Sequence, residues 1–358
     1  MTADELHERE KQSFWKWRRS LVSSETNVTM SITPYEKNLN VWRQLWRVIE
    51  KSDIIVQIVD ARNPLMFRSQ DLEAYVHEVD PLKRNVLLVN KADLLTRKQR
   101  FKWATYFKHM NIRAIFFSAA MAQNELDEME DNGEALAASE SLAAAKTTIT
   151  TPNNKNDAAC IPHPVDQQDM THVYTRTELL TYFMSISNKS SGGGVVVAVG
   201  MVGYPNVGKS SVVNVLCGRK RVAVGSTPGK TKHLQTLHIS EHIMICDCPG
   251  LVFPSALTTK DDMVCDGILP IDQMREHRGP IALLCQRIPP HVFETIYGIQ
   301  FQKKRNDQSS WKQQQPLGVE ELLYTFATSR GMMSQKGVPN APAAARILLK
   351  DYVNGKLY

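Results

Sequence analysis

Short apolar runs separated by segments with helical spacing predict a parallel α/β sheet in the first part of the chain. Residues 54–59 form a near-continuous apolar run, which is typical of a strand buried on both faces. Two more apolar runs follow at 86–89 and 114–117, and the intervening segments, 71–79 and 98–109, show helical spacing. Because strands and helices alternate with short connections, this half predicts a doubly wound sheet.

The later apolar segments first add strands to this sheet, and the apolar residues after them recur at helical spacing. The β-branched run at 195–199 predicts a strand, and 234–239 with 242–246 predict a strand pair. From residue 257 onward the apolar positions recur at helical spacing, which predicts a separate helical domain at the C-terminal end.

These patterns divide the chain into five predicted regions. They are an N-terminal helical arm (1–35), a first part of the α/β domain (36–120), an acidic low-complexity insert (121–173), a second part of the α/β domain (174–256) and a helical C-terminal domain (257–358). The insert has few large apolar residues, so we expect it to be largely disordered, with one frayed helix from Asn132 to Lys146.

The distribution of charge along the chain indicates what kind of partner the protein binds. The 358-residue chain carries a net charge of +6, although ten acidic residues face only two lysines between Met121 and His172. The remaining chain is therefore distinctly basic, which favours a nucleic-acid or ribonucleoprotein partner, with an ordinary solvated surface as the alternative.

The six cysteines show no zinc-site spacing and are expected to be reduced thiols. The charged N-terminus and the lack of a 20-residue apolar run predict no membrane segment.

A phosphate-binding loop follows the apolar run at 195–199. Residues 203–210, Gly-Tyr-Pro-Asn-Val-Gly-Lys-Ser, match the P-loop pattern G-x-x-x-x-G-K-S in its usual position between a strand and a helix. Its glycines let the backbone wrap phosphates, Lys209 reaches the terminal phosphates and Ser210 can ligate Mg²⁺. The predicted phosphate ligands are Gly203, Asn206, Val207, Gly208, Lys209, Ser210, Ser211 and Gly250.

Two motifs upstream of the P-loop predict recognition of guanine. Asn90-Lys91-Ala92-Asp93 matches N-K-x-D, in which the aspartate accepts two hydrogen bonds from the guanine ring. Adenine lacks this donor pair, so Asp93 selects GTP or GDP over adenine nucleotides. The Lys91 stem is expected to cover the base and Asn90 to brace the P-loop. Ser118 and Ala119 would supply a backbone amide at guanine O6.

A fourth motif predicts the γ-phosphate and metal end of the site. Asp247-Cys248-Pro249-Gly250 matches D-x-x-G, which puts a carboxylate near Mg²⁺ and a glycine amide at the γ-phosphate. We predict Ser210, Thr231 and Asp247 as the metal-binding set, and Lys209, Thr231 and Gly250 as catalytic residues. Thr227 is the alternative switch threonine.

The order of these motifs indicates a circular permutation. GTPases usually run from P-loop to D-x-x-G and then N-K-x-D, whereas here N-K-x-D precedes the P-loop by more than a hundred residues. All four motifs still end predicted strands, where open α/β sheets bind ligands. We therefore predict a circularly permuted P-loop GTPase domain, in which the segment after Gly250 leads into the helical C-terminal domain.

The sequence resembles the circularly permuted ribosome-assembly GTPases of the YlqF/YawG type. The resemblance is carried by DARNP at 60–64, NKAD at 90–93, GYPNVGKSS at 203–211, TPGKTKHLQT at 227–236 and DCPGLVFPS at 247–255. Within that family it is similar to the eukaryotic large-subunit branch through four further stretches, 33–36, 42–50, 267–275 and 348–356. A GNL-type nucleolar or cytosolic GTPase is the alternative relative.

The resemblance implies a function in late maturation of the large (60S) ribosomal subunit. It implies a monomeric, cytoplasmic protein, with shuttling through the nucleus, that binds ribosomal RNA and ribosomal proteins and drives release of a nuclear-export adaptor. Leu251 stands where many GTPases place a water-orienting glutamine, so the resemblance also implies slow, ribosome-stimulated hydrolysis with K⁺ near Asn206. The competing functional classes are a nucleotide-gated scaffold with negligible hydrolysis and a signalling GTPase with a protein effector.

Overall fold

The protein folds into two compact units. A computed structural model describes residues 2–27, 33–131, 169–187, 196–218, 234–254, 258–301, 317–335 and 337–357. One unit comprises Glu36–Phe253, and the other combines Met1–Tyr35 with Pro254–Tyr358. No helix in the described ranges combines the length and the apolar content needed to cross a bilayer. The predicted helix at 132–146, the glycine-rich segment at 192–194 and both candidate switch threonines lie outside the described residues.

Helix α1 (Ala3–Asn27) precedes the larger unit, which alternates strands with helices as the sequence predicts. Its elements are α2 (Leu39–Lys51), β1 (Ile54–Asp60), α3 (Pro64–Phe67), α4 (Gln70–Val79), β2 (Arg84–Asn90), α5 (Arg97–His109), β3 (Ala114–Phe117), α6 (Ala119–Asp131), β4 (Val173–Tyr174), α7 (Arg176–Ile186), β5 (Val197–Gly203), α8 (Lys209–Cys217), β6 (Gln235–His238) and β7 (Ile243–Asp247).

Within the described ranges, seven strands form one mostly parallel sheet, which confirms the predicted fold class. Their order is β4-β3-β2-β1-β5-β7-β6, and only β6 runs antiparallel to its neighbour β7. Strand β5, which leads into the P-loop, pairs with both β1 and β7. The N-K-x-D and D-x-x-G strands, β2 and β7, therefore end at the same sheet edge as β5, although β2 precedes β5 by more than a hundred residues.

Local sequence features explain why the central elements form and pack closely. All seven residues of β1 are buried, as expected for a parallel strand covered on both faces. Helix α2 buries four apolar side chains along one stripe and contacts β5 and β7. Gly200 on β5 permits this contact, because a Cβ there would lie 2.7 Å from Ser52 Oγ and 2.8 Å from Val48 Cγ1.

The predicted limits of the acidic insert are wrong at both ends. Helix α6 continues to Asp131, and residue Val173 already pairs with β3 as part of strand β4. Helix α6 buries Ala119, just before the predicted insert, and Ala122 within it, where α6 contacts α8. Small alanine side chains allow a close helix contact that a search for large apolar residues overlooks.

The second unit is helical, as predicted. Its elements beyond α1 are α9 (Lys260–Cys265), α10 (Arg278–Arg287), α11 (Pro290–Tyr297), α12 (Val319–Ser329) and α13 (Ala341–Val353). Their buried apolar side chains form one continuous core that includes Ile281, Phe293, Phe326 and Leu348. This unit therefore has its own core, as a separate domain requires.

Candidate functional site

The P-loop adopts a backbone suited to enclosing an anion. After β5 ends at Gly203, Asn206 and Gly208 both have positive φ angles, of 62° and 96°. Helix α8 begins directly after Gly208, so no side-chain cap accepts from the amides at the helix start within the described residues. Ser210 and Ser211 lie in this first turn. A nine-residue helix that begins behind a glycine turn is the usual phosphate-binding arrangement.

Lys209 is folded back into the P-loop and is buried. Its Nζ donates to the carbonyl oxygens of Gly203 at 2.9 Å and Tyr204 at 2.7 Å. Burial lowers the pKa of Lys209 to about 8, and the nearby negative charge of Asp247 offsets only part of that effect. The ammonium is therefore poorly stabilised by its protein environment and would gain from an anionic ligand.

Asp247 is the least satisfied polar residue of the site. Its side chain is buried at the end of β7, and neither carboxylate oxygen has a hydrogen-bond partner among the described residues. Burial raises the pKa of Asp247 to about 6, against the opposing effect of Lys209. An unpartnered buried carboxylate fits a hard cation, and the Ser210 hydroxyl supplies a second oxygen donor, so these residues fit Mg²⁺.

The rest of the D-x-x-G segment packs directly on the P-loop. A Cβ added to Gly250 would lie 3.1 Å from Lys209 Nζ and 3.2 Å from the Pro205 backbone, so only glycine leaves this space open. The next residue, Leu251, is completely buried and donates its backbone N–H to Gly203 O at 3.3 Å. Its side chain is thus part of the core and cannot orient a water at the phosphates.

Asn90 connects the guanine motif to the P-loop. Its Nδ2 donates to Val207 O at 2.8 Å, and its Oδ1 accepts from the backbone N–H of Ala119 at 3.1 Å. One buried side chain therefore joins the N-K-x-D, S-A and P-loop segments. Gly208 is packed against the same amide, because a Cβ there would collide with Asn90 Nδ2.

Asp93 is positioned by the serine of the S-A motif. Ser118 Oγ donates to Asp93 Oδ1 at 2.5 Å, and Asp93 itself is exposed at the edge of the sheet. This hydrogen bond uses one carboxylate oxygen and orients the group. An exposed, oriented carboxylate is the arrangement that binding of a guanine ring requires.

An ion-pair cluster beneath this motif was not identified as part of the site from the sequence. Lys91, with a left-handed backbone at φ 63°, donates from Nζ to Asp60 Oδ2 at 2.8 Å and to Asn206 O at 3.1 Å. Arg62 donates to both oxygens of the same carboxylate. Burial alone would raise the pKa of Asp60, but the Arg62 hydrogen bond and the two cations hold that pKa well below its usual range. The DARNP stretch was the available signal, since its aspartate ends strand β1.

Aromatic side chains connect the P-loop to the segment after D-x-x-G. Tyr204 makes edge contacts with Phe67 and Phe253, whose ring centroids lie 5.7 Å away in each case. Phe253 in turn contacts Trp42 of α2. This cluster could not be predicted from the sequence, because its members come from four separate segments.

The described residues bring most of the predicted site together, with one gap. Thr231 and its alternative Thr227 lie outside the described residues, so the third predicted metal ligand has no structural account. No group of three or more histidine, cysteine, aspartate or glutamate side chains suited to a metal occurs in the described ranges. A separate cavity of about 300 Å³ lies near the start of β2 and contains none of the motif residues.

Several known proteins are similar to this chain in sequence. The family model "50S ribosome-binding GTPase" matches residues 198–279. The chain is 48% identical over 360 residues to large subunit GTPase 1 from Schizosaccharomyces pombe, covering 99% of this chain and 55% of that protein. It is 42% identical over 416 residues to the Bos taurus large subunit GTPase 1 homolog, covering 99% of this chain and 63% of that protein.

The solved structure of GNP-bound YlqF from T. maritima is 20% identical and covers 88% of this chain and 94% of that chain, with a TM-score of 0.49. The chain spans 55% to 63% of the length of the two large-subunit GTPase relatives. Their identity extends over nearly all of this chain, including the helical second unit. The motifs run in permuted order, and over nearly its whole length the chain is similar to the large subunit GTPase 1 proteins.

Proposed function

We propose that this protein binds and hydrolyses GTP while it acts on the large ribosomal subunit. The observation that carries the proposal is the buried Lys209 and Asp247 pair beside a free P-loop helix terminus. Both charged groups have unfavourable environments, since the pKa of Lys209 is lowered to about 8 and that of Asp247 is raised to about 6. A triphosphate would stabilise the charge of Lys209, and a divalent cation would stabilise that of Asp247.

Each described site residue has a role in the proposed reaction, in which water attacks the γ-phosphorus and GDP leaves. Asp93 and Ser118 hold the guanine, while the amides of residues 206–211 and Lys209 hold the phosphates. Ser210 and Asp247 would hold Mg²⁺, which neutralises the charge that develops on the phosphate oxygens. The Gly250 amide would contact the γ-phosphate. Thr231 is proposed as a further ligand and catalytic residue on the basis of its motif.

Slow intrinsic hydrolysis is part of the proposal. Leu251 is buried in the core, so the position that often carries a catalytic glutamine supplies no polar group. We propose that the ribosomal subunit completes the site and that K⁺ bound near Asn206 supplies additional positive charge. The buried leucine also favours the second candidate function, a nucleotide-gated scaffold that binds the subunit without appreciable hydrolysis.

Phosphate release decides between these two functions. The rate would be measured for the full chain with GTP and Mg²⁺, with and without purified large subunits, in potassium and in sodium buffers. We expect stimulation by subunits and a higher rate in potassium, with Lys209→Ala as the inactive control. If no condition raises phosphate release above that control while GTP still binds, the scaffold function is correct and the enzyme assignment is wrong.

The cellular step is proposed from the family similarity. We propose a monomeric factor, cytoplasmic with shuttling through the nucleus, that promotes release of a nuclear-export adaptor from the large subunit. Sucrose-gradient fractionation should show the protein with large subunits. Depletion should leave the adaptor bound to cytoplasmic subunits. Absence of the protein from large-subunit fractions would instead favour a signalling GTPase with a protein effector.

A further inference from the structure

Helix α5 carries a concentration of positive charge that the nucleotide site does not use. Its 13 residues, Arg97–His109, include five lysines or arginines and one histidine, and no acidic residue. Two of the cations occupy its first turn, where the helix dipole disfavours positive charge. Lys108 and His109 in the last turn favour the helix, whereas the first-turn cations oppose it, and an anionic partner would offset that cost.

The arginines of α5 have structural partners, whereas two of its lysines do not. Arg100 donates to the carbonyl oxygens of Leu95 at 2.7 Å and Thr171 at 3.0 Å, and Arg97 pairs with Asp169 at 2.7 Å. Lys98 and Lys102 are exposed and form no hydrogen bond or ion pair within the described part of the chain. These two side chains are therefore available to an external anion.

An exposed aromatic ring lies between these lysines. Phe101 is 53% exposed, although the neighbouring aromatic residues of α5 pack inward, with Trp103 stacked on the buried Phe107. Positions 98, 101 and 102 share one helix face, because residues three or four apart are neighbours. The outward face of α5 thus presents one aromatic ring flanked by two lysines, which we call the α5 face.

The α5 face matches the chemistry of unpaired RNA. Lysines contact backbone phosphates without sequence preference, and an exposed aromatic ring stacks on an unpaired base. A duplex offers phosphates but no free base, whereas an acidic peptide offers charge but no base to stack. We propose that the α5 face binds a single-stranded segment of ribosomal RNA, an inference that rests on the proposed function at the large subunit.

Binding of a fluorescein-labelled single-stranded RNA to the full chain tests this proposal. Fluorescence anisotropy would be measured across a salt series for wild type and for the double variant Lys98→Ala, Lys102→Ala. We expect weaker binding, with a salt slope shallower by about 0.7 for each lost phosphate contact. The matched control, Lys51→Ala with Lys260→Ala, removes two other exposed lysines and should retain the wild-type slope.

Phe101 separates base stacking from general electrostatics. Phe101→Ala should weaken RNA binding by about ten-fold and leave the salt slope unchanged, while Phe101→Trp should retain binding. Leu82→Ala, which truncates another exposed apolar residue, should have no effect. Wild-type RNA affinity in Phe101→Ala or in the lysine double variant would overturn the proposal. Displacement of RNA by a polyglutamate peptide with equal efficiency in wild type and Phe101→Ala would indicate an acidic protein partner instead.

Co-sedimentation with purified large subunits distinguishes this inference from the proposed function. If the α5 variants lose both RNA and subunit binding, both proposals are supported. If wild type fails to co-sediment while the α5 variants still lose RNA binding, the ribosomal function is wrong and the RNA-binding face is retained. If wild type co-sediments and the variants keep full RNA affinity, the α5 proposal alone is wrong.

Discussion

The two ends of the nucleotide site differ in how well the protein satisfies its own polar groups. At the guanine end, Asn90 hydrogen-bonds to Val207 and Ala119, and Ser118 donates to Asp93. Asp60 is held there by two cations. At the phosphate end, within the described part of the chain, Asp247 has no hydrogen-bond partner and Lys209 donates only to backbone carbonyls. The guanine end is thus organised before the ligand binds, whereas the phosphate end requires the ligand to balance its charges.

This difference has a consequence for nucleotide-dependent stability. Ligand binding should contribute most of its free energy at the phosphate end, where buried charges are least satisfied. The guanine end should mainly determine which base is bound. Loss of a phosphate-end group should therefore change affinity or stability strongly. Loss of one hydrogen bond at the guanine end should have a smaller effect.

Removal of the P-loop ammonium should have the largest effect. Lys209→Ala deletes the buried cation that faces the phosphates, and truncation of one partner of a buried charge pair costs roughly 2–5 kcal/mol. We expect GTP affinity to fall by about 100-fold or more, measured with a fluorescent GTP analogue. Lys51→Ala, an exposed control, should bind as wild type. A loss of less than ten-fold would show that Lys209 does not contact the phosphates.

Neutralisation of Asp247 should stabilise the nucleotide-free protein. The folded-state pKa of Asp247, about 6, lies above the ordinary aspartate pKa of 3.8. The charged form therefore carries a folding penalty at neutral pH, which is relieved as the pH falls through about 6 towards 4. Asp247→Asn should raise the free energy of unfolding at pH 7.5 by up to roughly 3 kcal/mol.

The pH dependence and the nucleotide response check the same prediction. Denaturant unfolding should show that the advantage of Asp247→Asn shrinks as the pH is lowered to about 4, because the wild-type carboxyl is then also neutral. The variant should also lose most of the stabilisation that Mg²⁺ and GTP give to wild type. A variant less stable than wild type at pH 7.5 would mean that Asp247 has a partner in the free protein.

Replacement of Gly208 by a residue with a side chain should disturb both the guanine end and the phosphate end of the site. Its φ of 96° is costly for other residues, and a Cβ would collide with Asn90 Nδ2. Gly208→Ala should therefore break the Asn90–Val207 hydrogen bond and reduce nucleotide affinity by about ten-fold, with a stability loss of roughly 1–3 kcal/mol. Isothermal titration with GDP measures the first effect. Gly331→Ala, at another positive-φ glycine with open space around it, controls for backbone strain alone.

The smallest effect should come from the hydroxyl that orients Asp93. Ser118→Ala removes one hydrogen bond and leaves the carboxylate exposed to water, so the expected loss is about 1 kcal/mol, or roughly five-fold in GDP affinity. Competition titrations should show the loss for guanine nucleotides without a gain for adenine nucleotides. An effect as large as that of Lys209→Ala would contradict the proposed difference between the two ends.

Much of the fold followed from the sequence because its signals are local. The strands that end at Asp60, Asn90, Gly203 and Asp247 are apolar runs followed by motif residues, and parallel strands bring those ends to one edge. Strand β4 was not predicted, because a strand of two residues is too short to show an alternating pattern of apolar and polar positions. Helix α6 extends into the predicted insert because alanine packs without a large apolar stripe.

The contacts within the site were less accessible to prediction. The pairing of Lys91 with Asp60 joins residues 31 positions apart, and the Tyr204–Phe253 contact joins residues 49 apart. No local sequence pattern predicts either contact. The burial of Leu251 also depends on tertiary packing, although its apolar character indicated that it could not orient water.

The most direct test of the permuted guanine site is the nucleotide preference of Asp93→Asn. Affinities of wild type and variant for GTP and xanthosine triphosphate would be measured by competition against one fluorescent nucleotide. The expected result is a loss of GTP affinity of at least about ten-fold and a matching gain for xanthosine triphosphate, because xanthine offers an acceptor where guanine offers a donor. Unchanged GTP affinity in Asp93→Asn would contradict the assignment of residues 90–93 to the guanine base.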